Sequence, residues 1–147
     1  MKKDLYRIMD VNLNRSREGL RVVEDIVRFC GKNKVLTEKL KRVRHALAGT
    51  VRDNGKMLLA RDARHDVGKE YYFGLEGRKK TIADIVISSF RRVEESLRVM
   101  EDISKLIIPG KTGAYKRIRF SVYELEKTIF KKLQCLHNPG PAVDRKP

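Results

Sequence analysis

Apolar positions recur at helical spacing along most of this chain. Leu13, Leu20, Val23, Val27 and Cys30 fall on one stripe, while Asn14, Arg17, Glu18, Arg21, Asp25 and Arg28 share the opposite face. That pattern predicts an amphipathic helix, opened by Asp10 as its cap and closed at Gly31. A second helix is expected from Lys34 to near Arg61, started by Asn33 or Thr37, with a break near Asn54-Gly55. Thr81 followed by Asp84 has capping-box spacing and opens a third helix, which must stop before Pro109-Gly110 because proline brings no backbone donor. Ala114 to about Leu136 forms the fourth. No stretch alternates with period two, so no strand is expected.

The pattern repeats. Gly19-Leu20-Arg21-Val22-Val23-Glu24-Asp25-Ile26 returns as Ser96-Leu97-Arg98-Val99-Met100-Glu101-Asp102-Ile103, so Leu20 corresponds to Leu97. Lys41-Arg42-Val43-Arg44 returns in the same way as Lys116-Arg117-Ile118-Arg119. Two copies with so long a period suit a duplicated hairpin packed face to face better than a solenoid. The expected fold is therefore all-α: an internally duplicated helical hairpin forming a pseudo-twofold, four-helix bundle-like core. One domain should span 1–136, with halves at about 5–62 and 81–136 and a glycine-containing connection at 63–80. The breaker cluster His137-Asn138-Pro139-Gly140-Pro141 then makes 137–147 a flexible tail.

Composition narrows the partners. A chain of 147 residues with 41% hydrophobic content can bury one core without a metal or disulfide staple. Its 34 lysines and arginines against 19 acids give a net charge of +15, which calls for an anionic partner. Cys30 and Cys135 have no metal-ligand spacing and read as reduced thiols, which points to the cytoplasm. The N-terminus lacks the apolar run of a secretory signal, and no apolar stretch approaches membrane-spanning length.

Candidate chemistry lies on the charged faces. Arg15, Glu18, Arg21 and Asp25 climb one side of the first helix at steps of three and four, and Arg92, Glu95, Arg98 and Asp102 repeat the ladder. Surface ion pairs would explain one such ladder; its survival in both copies argues for a role, structural or functional. Glu24 and Glu101 fall at the edge of the apolar stripe, where a carboxylate needs a cation, and Arg44 and Arg119 are expected to pair with them as structural corners. Gly19 sits in mid-helix at a cost of roughly 1 kcal/mol against alanine, which implies close approach of a neighbour. Asn12, Arg44-His45, Arg61-Asp62 and Asp66-Val67-Gly68 converge if the hairpin closes, giving an anion pocket with carboxylates for Mg²⁺. His45 beside arginines reads more readily as a structural hydrogen-bonder than as a catalyst. Gly68, Gly74 and Gly77 before Arg78-Lys79-Lys80 are a weak phosphate-cradle signal. Walker, protein-kinase, hydrolase-elbow and zincin motifs are absent from the sequence.

The run from Ile8 through Asn12-Leu13-Asn14-Arg15 to Gly19-Leu20-Arg21-Val22-Val23-Glu24-Asp25 resembles the alternative hydroxymethylpyrimidine phosphate kinase domain of thiamine biosynthesis, found alone or fused ahead of thiamine phosphate synthase. The resemblance continues through Leu40 to Leu47, Arg61, Asp66-Val67-Gly68, Arg92 and Glu95 to Glu101, covering most of residues 5 to 130. Ser88-Ser89 departs from Val11-Asn12 of the first copy. The resemblance implies ATP-dependent conversion of hydroxymethylpyrimidine phosphate to its diphosphate, with Mg²⁺ as cofactor. On it, Arg15, Arg21, Arg44 and Arg61 are expected on phosphates, and Asn12, His45, Arg92 and Arg98 on substrate. Glu18, Asp66 and Glu95 are expected on metal. Thiamine phosphate synthase is the protein partner it suggests; the synthase barrel itself needs roughly 200 further residues. A homo-oligomer stays open, and nucleic acid is disfavoured. The rival readings are a basic nucleic-acid-binding module, whose binding would fall steeply with salt, and a non-catalytic dimerisation or accessory domain.

Overall fold

The structure, a computed structural model, describes residues 1–51, 54–68 and 81–137, the side chains of 54 and 135–137 excepted. Helix α1 runs from Lys2 to Asp25 and continues as a single π-turn over Ile26–Cys30. The extra residue shows in the bond from the Gly31 N–H to the Ile26 carbonyl, 3.1 Å, five residues back. The helix starts eight residues before the expected cap, because Met9 extends the buried stripe backwards from Leu13. Asp10 is therefore no cap; it lies inside α1, largely buried, and its carboxylate is spent elsewhere.

Asn33 caps α2 (Lys34–Ala48), its side-chain oxygen accepting the Leu36 N–H at 3.0 Å. The second helix, expected to reach near Arg61 with a break near Asn54-Gly55, ends before that break. It stops at Ala48, where the Thr50 hydroxyl donates to the Leu47 carbonyl at 2.7 Å and competes with the helical ladder. A short helix α3 follows over Asn54–Ala60. Helix α4 (Ile82–Ile107) opens with the expected capping box. The Asp84 N–H donates to Thr81 Oγ1 at 3.1 Å, and the Thr81 N–H donates to Asp84 Oδ2 at 2.9 Å. A 3₁₀ turn over Pro109–Lys111 then leads into α5, Thr112–His137. Most of the connection, with Gly74, Gly77 and Arg78-Lys79-Lys80, and all of the tail but His137 lie outside the described residues.

The four long helices close a ring in which α1 packs on α4, α4 on α5, α5 on α2 and α2 on α1, while α3 leans on α1. Among the described residues there is no strand, and the fold is all-α. Met9, Leu20, Leu40, Leu47, Phe90, Leu97, Met100 and Tyr115 are fully buried between the helices. Each such aliphatic side chain contributes about 1.5–3 kcal/mol by leaving water. Burial recurs at equivalent positions of the two copies: Leu13 with Phe90, Leu20 with Leu97, Val23 with Met100, Glu24 with Glu101.

Gly19 sets how closely α1 and α4 approach. A Cβ built there would stand 2.9 Å from the Ser89 carbonyl oxygen and 2.6 Å from Val93 Cγ2. The valine methyl could shift, whereas the backbone oxygen could move only with α4. Close helix contact thus explains a glycine in mid-helix. No helix among the described residues is long and apolar enough to cross a membrane.

Candidate functional site

The outer face of α1 carries two adjoining basins. The first, a cavity of about 500 Å³, lies between α1 and the segment after α3; Arg7, Asp10, Asn14 and Arg15 reach it from the helix, Arg61, Asp62 and Asp66 from the segment. Ile8, Val11 and Ala63 give it an apolar lining. Arg61 Nη2 meets Asp10 Oδ1 at 2.9 Å while its Nε meets Oδ2, a two-pronged ion pair across 51 residues. The Asp10 carboxylate also pushes the Arg61 pKa further up, so the arginine stays charged. Arg7 Nη2 donates to the Asp62 carbonyl at 3.1 Å and fixes the same segment one residue on. His65 approaches the Asp62 carboxylate through its backbone N–H and its ring, which holds that carboxyl below the usual carboxylate range. Asp66 Oδ1 accepts the Gly68 N–H at 2.9 Å, a local turn that steadies the acid at the cavity edge.

The second basin, about 450 Å³, is lined by Asn14, Arg17, Glu18, Arg21, Val22 and Arg44. Behind it stands the expected Glu24–Arg44 corner. Glu24 is buried, Arg44 Nε donates to its Oε2 at 2.8 Å, and Arg21 Nη1 lies 3.6 Å from its Oε1. The equivalent Glu101–Arg119 corner forms between α4 and α5, with Arg119 Nη2 and Nε donating to Glu101 Oε2 at 2.7 and 3.1 Å. Both corners pin a helix pair, since removing either partner would leave a buried charge unpaired.

The expected site residues are thus brought together only in part. Arg15, Arg61 and Asp66 share the first basin; Glu18, Arg21 and Arg44 share the second. Asn12 lines neither: it is buried, and its side-chain N–H donates to the Ile8 carbonyl of its own helix at 2.8 Å. His45 is exposed on α2, Arg92 and Glu95 are exposed on α4, and Arg98 is engaged with Glu101 and Asp102. None of these four lines either basin. Glu18, Asp66 and Glu95 therefore do not gather around one point. Among the described residues no group of three or more His, Cys, Asp or Glu is placed to hold a metal ion.

Arg7, Asp10, Asn14 and Arg17 line these basins without having been expected there. A signal existed for two of them: Arg7, Asn14 and Arg21 are spaced by seven residues, two helical turns, on one stripe of α1. Asp10 was hidden because an acid at the edge of an apolar run reads as a cap.

The ThiD2 family matches residues 7–128 of the chain. A thiamine-phosphate synthase of Synechocystis sp. is 41% identical over 125 residues, covering 85% of this chain and 36% of that protein. Its counterpart in Nostoc punctiforme is 40% identical over 125 residues, with 85% and 35% covered. The thiamine-phosphate synthase of Rhodopirellula baltica is 28% identical over 137 residues, with 92% and 36% covered. The chain spans about a third of the length of the curated relatives it matches. No solved structure matches it.

Proposed function

This chain belongs to the ThiD2 family, and on that premise we propose that it is a thiamine-biosynthesis enzyme transferring a phosphoryl group from ATP to hydroxymethylpyrimidine phosphate. The observation that carries the reading is the meeting of Arg15, Arg61 and Asp66, from separate stretches of chain, around one cavity beside the arginines of the second basin. The acceptor is a phosphate monoester whose second pKa near 6 leaves it largely dianionic at pH 7, so no base is needed to activate it. Positioning and cations around the migrating group are the main requirement, and the arginines meet it. Mg²⁺ arriving with nucleotide phosphates keeps most of its shell as phosphate and water and needs only one or two protein carboxylates. Glu18 and Asp66, one in each basin, fit that demand; a three-carboxylate cage is unnecessary. The diphosphate product would be the pyrimidine donor for thiamine-phosphate synthase, the partner that the relatives' names suggest.

The test is incubation of the pure protein with Mg²⁺, ATP and hydroxymethylpyrimidine phosphate, followed by phosphorus NMR. Appearance of the pyrimidine diphosphate with equimolar ADP is the expected result. Absence of both, while an unrelated kinase of the same specificity forms product in parallel, would move the assignment to a non-catalytic accessory domain.

A further inference from the structure

We propose that the two basins are separate acceptor and donor sites, the first for the pyrimidine monophosphate and the second for the nucleotide polyphosphate, and that Asn14, which lines both, contacts the migrating phosphoryl group. This rests on the kinase reading above and assigns the residues within it.

The linings differ in charge. Arg17, Arg21 and Arg44 face Glu18 in the second basin, with Glu24 behind them engaged by Arg44 and Arg21, so three cations meet two carboxylates. Arg7, Arg15 and Arg61 face four carboxylates, Asp4, Asp10, Asp62 and Asp66, in the first. A triphosphate carries the larger negative charge, so the basin with excess guanidinium takes it and Glu18 shares its Mg²⁺. The first basin offers what a heteroaromatic amine with one phosphate needs: carboxylates to accept from ring amino groups, apolar Ile8, Val11 and Ala63 against the ring, and Arg15 for the phosphate. Asn14 and Arg15 are consecutive, which puts the acceptor phosphate at the boundary of the two basins. Seven residues of helix separate Asn14 from Arg21, a rise of roughly 10 Å along which a polyphosphate can extend.

At the boundary an acceptor phosphate oxygen forms a bond to the γ-phosphorus as the bond from that phosphorus to the β–γ bridging oxygen breaks. The electron pair leaves on the β-phosphate of ADP. Dianionic acceptor and tetra-anionic ATP give two trianionic products, so no proton is released. A neutral amide suits this position. Asn14 can donate to the equatorial oxygens of the migrating group without the charge that would hold either ground state too tightly.

Arg15 and Arg17 give the cleanest test, since both are exposed, lie two residues apart on α1 and line one basin each. Calorimetric titrations should use hydroxymethylpyrimidine phosphate and, separately, a Mg²⁺-loaded non-hydrolysable ATP analogue. Arg15→Ala should weaken the pyrimidine phosphate about tenfold and leave the nucleotide within twofold; Arg17→Ala should do the reverse. Asn14→Ala should keep both dissociation constants and lower kcat at least about tenfold. Exchanged effects, equal effects of both arginine variants on both ligands, or an unchanged kcat in Asn14→Ala would each overturn the assignment while the kinase reading stands. Binding of neither ligand to the wild-type protein would overturn the kinase reading itself and this assignment with it.

Discussion

The corner at Glu24 and the corner at Glu101 share an ion pair and differ in what surrounds it. At Glu101 the arginine is fully engaged: Arg119 donates to Tyr123 Oη at 3.0 Å as well as to the glutamate, and its guanidinium lies over the Phe120 and Tyr123 rings. At Glu24 the positions equivalent to Phe120 and Tyr123 hold His45 and Ala48, and Arg44 opens onto the second basin. Next to it, Arg17 corresponds to Glu94 in the other copy. Glu94 faces Glu126 of α5, and its pKa is raised to about 7 by burial and by that second carboxyl. The shared Glu–Arg pairs hold helices together in both halves, and the unshared neighbours give the surface beside each pair a different charge. A pair retained in both halves is therefore a guide to architecture, whereas the surface around it has to be read in each half separately.

If the two corners are structurally equivalent, Glu24→Gln and Glu101→Gln should each destabilise the fold by about 3 kcal/mol, since each leaves a partly buried arginine poorly paired. Thermal melts should drop by roughly 10 °C in both variants. A large drop in only one would show that a single half bears the scaffold.

Activity should separate the halves where stability does not. Glu18→Gln removes a charge from the exposed second basin, so it should melt near wild type yet turn over at least about tenfold more slowly, a loss of roughly 1.4 kcal/mol in transition-state stabilisation. The same change at Glu95, its counterpart, should cost less, because Glu95 lines neither basin. Equal losses from both would restore Glu95 to the metal site that the sequence suggested.

The smallest expected effect is a pH dependence confined to the second half. Because folding raises the Glu94 pKa from the usual carboxylate range to about 7, folding is favoured below the unfolded value and loses that advantage as pH rises through about 7. Glu94→Gln should thus leave the melting temperature near wild type at pH 4 and raise it at pH 8. The gain should be about 1 kcal/mol, less than the full shift implies because water reaches part of the pair. Arg17→Gln in the first half should show no such pH-dependent difference.

Much of this was legible along the chain. The Asn33 cap, the Thr81–Asp84 box and the stop before Pro109 each follow from groups three or four residues apart, so local sequence suffices to specify them. The Glu24–Arg44 and Glu101–Arg119 pairs could be read because burial, visible in the helical period, obliges a carboxylate to find a cation. The stop at Ala48 was missed because a threonine hydroxyl can satisfy a helical carbonyl or leave the ladder intact, and composition does not say which.

What only the tertiary structure decided is which charged residues meet. Asp10 and Arg61 stand 51 positions apart, and their pairing depends on where α3 leans against α1, a packing outcome that no local spacing encodes. The same packing places Glu18 and Asp66 in different basins, leaves Glu95 in neither and makes Asn14 common to both. Helical periodicity says which side of a helix a residue occupies. Which other side it faces is set by the close contact at Gly19 and the closure of the four-helix ring, where many apolar contacts fix one geometry together.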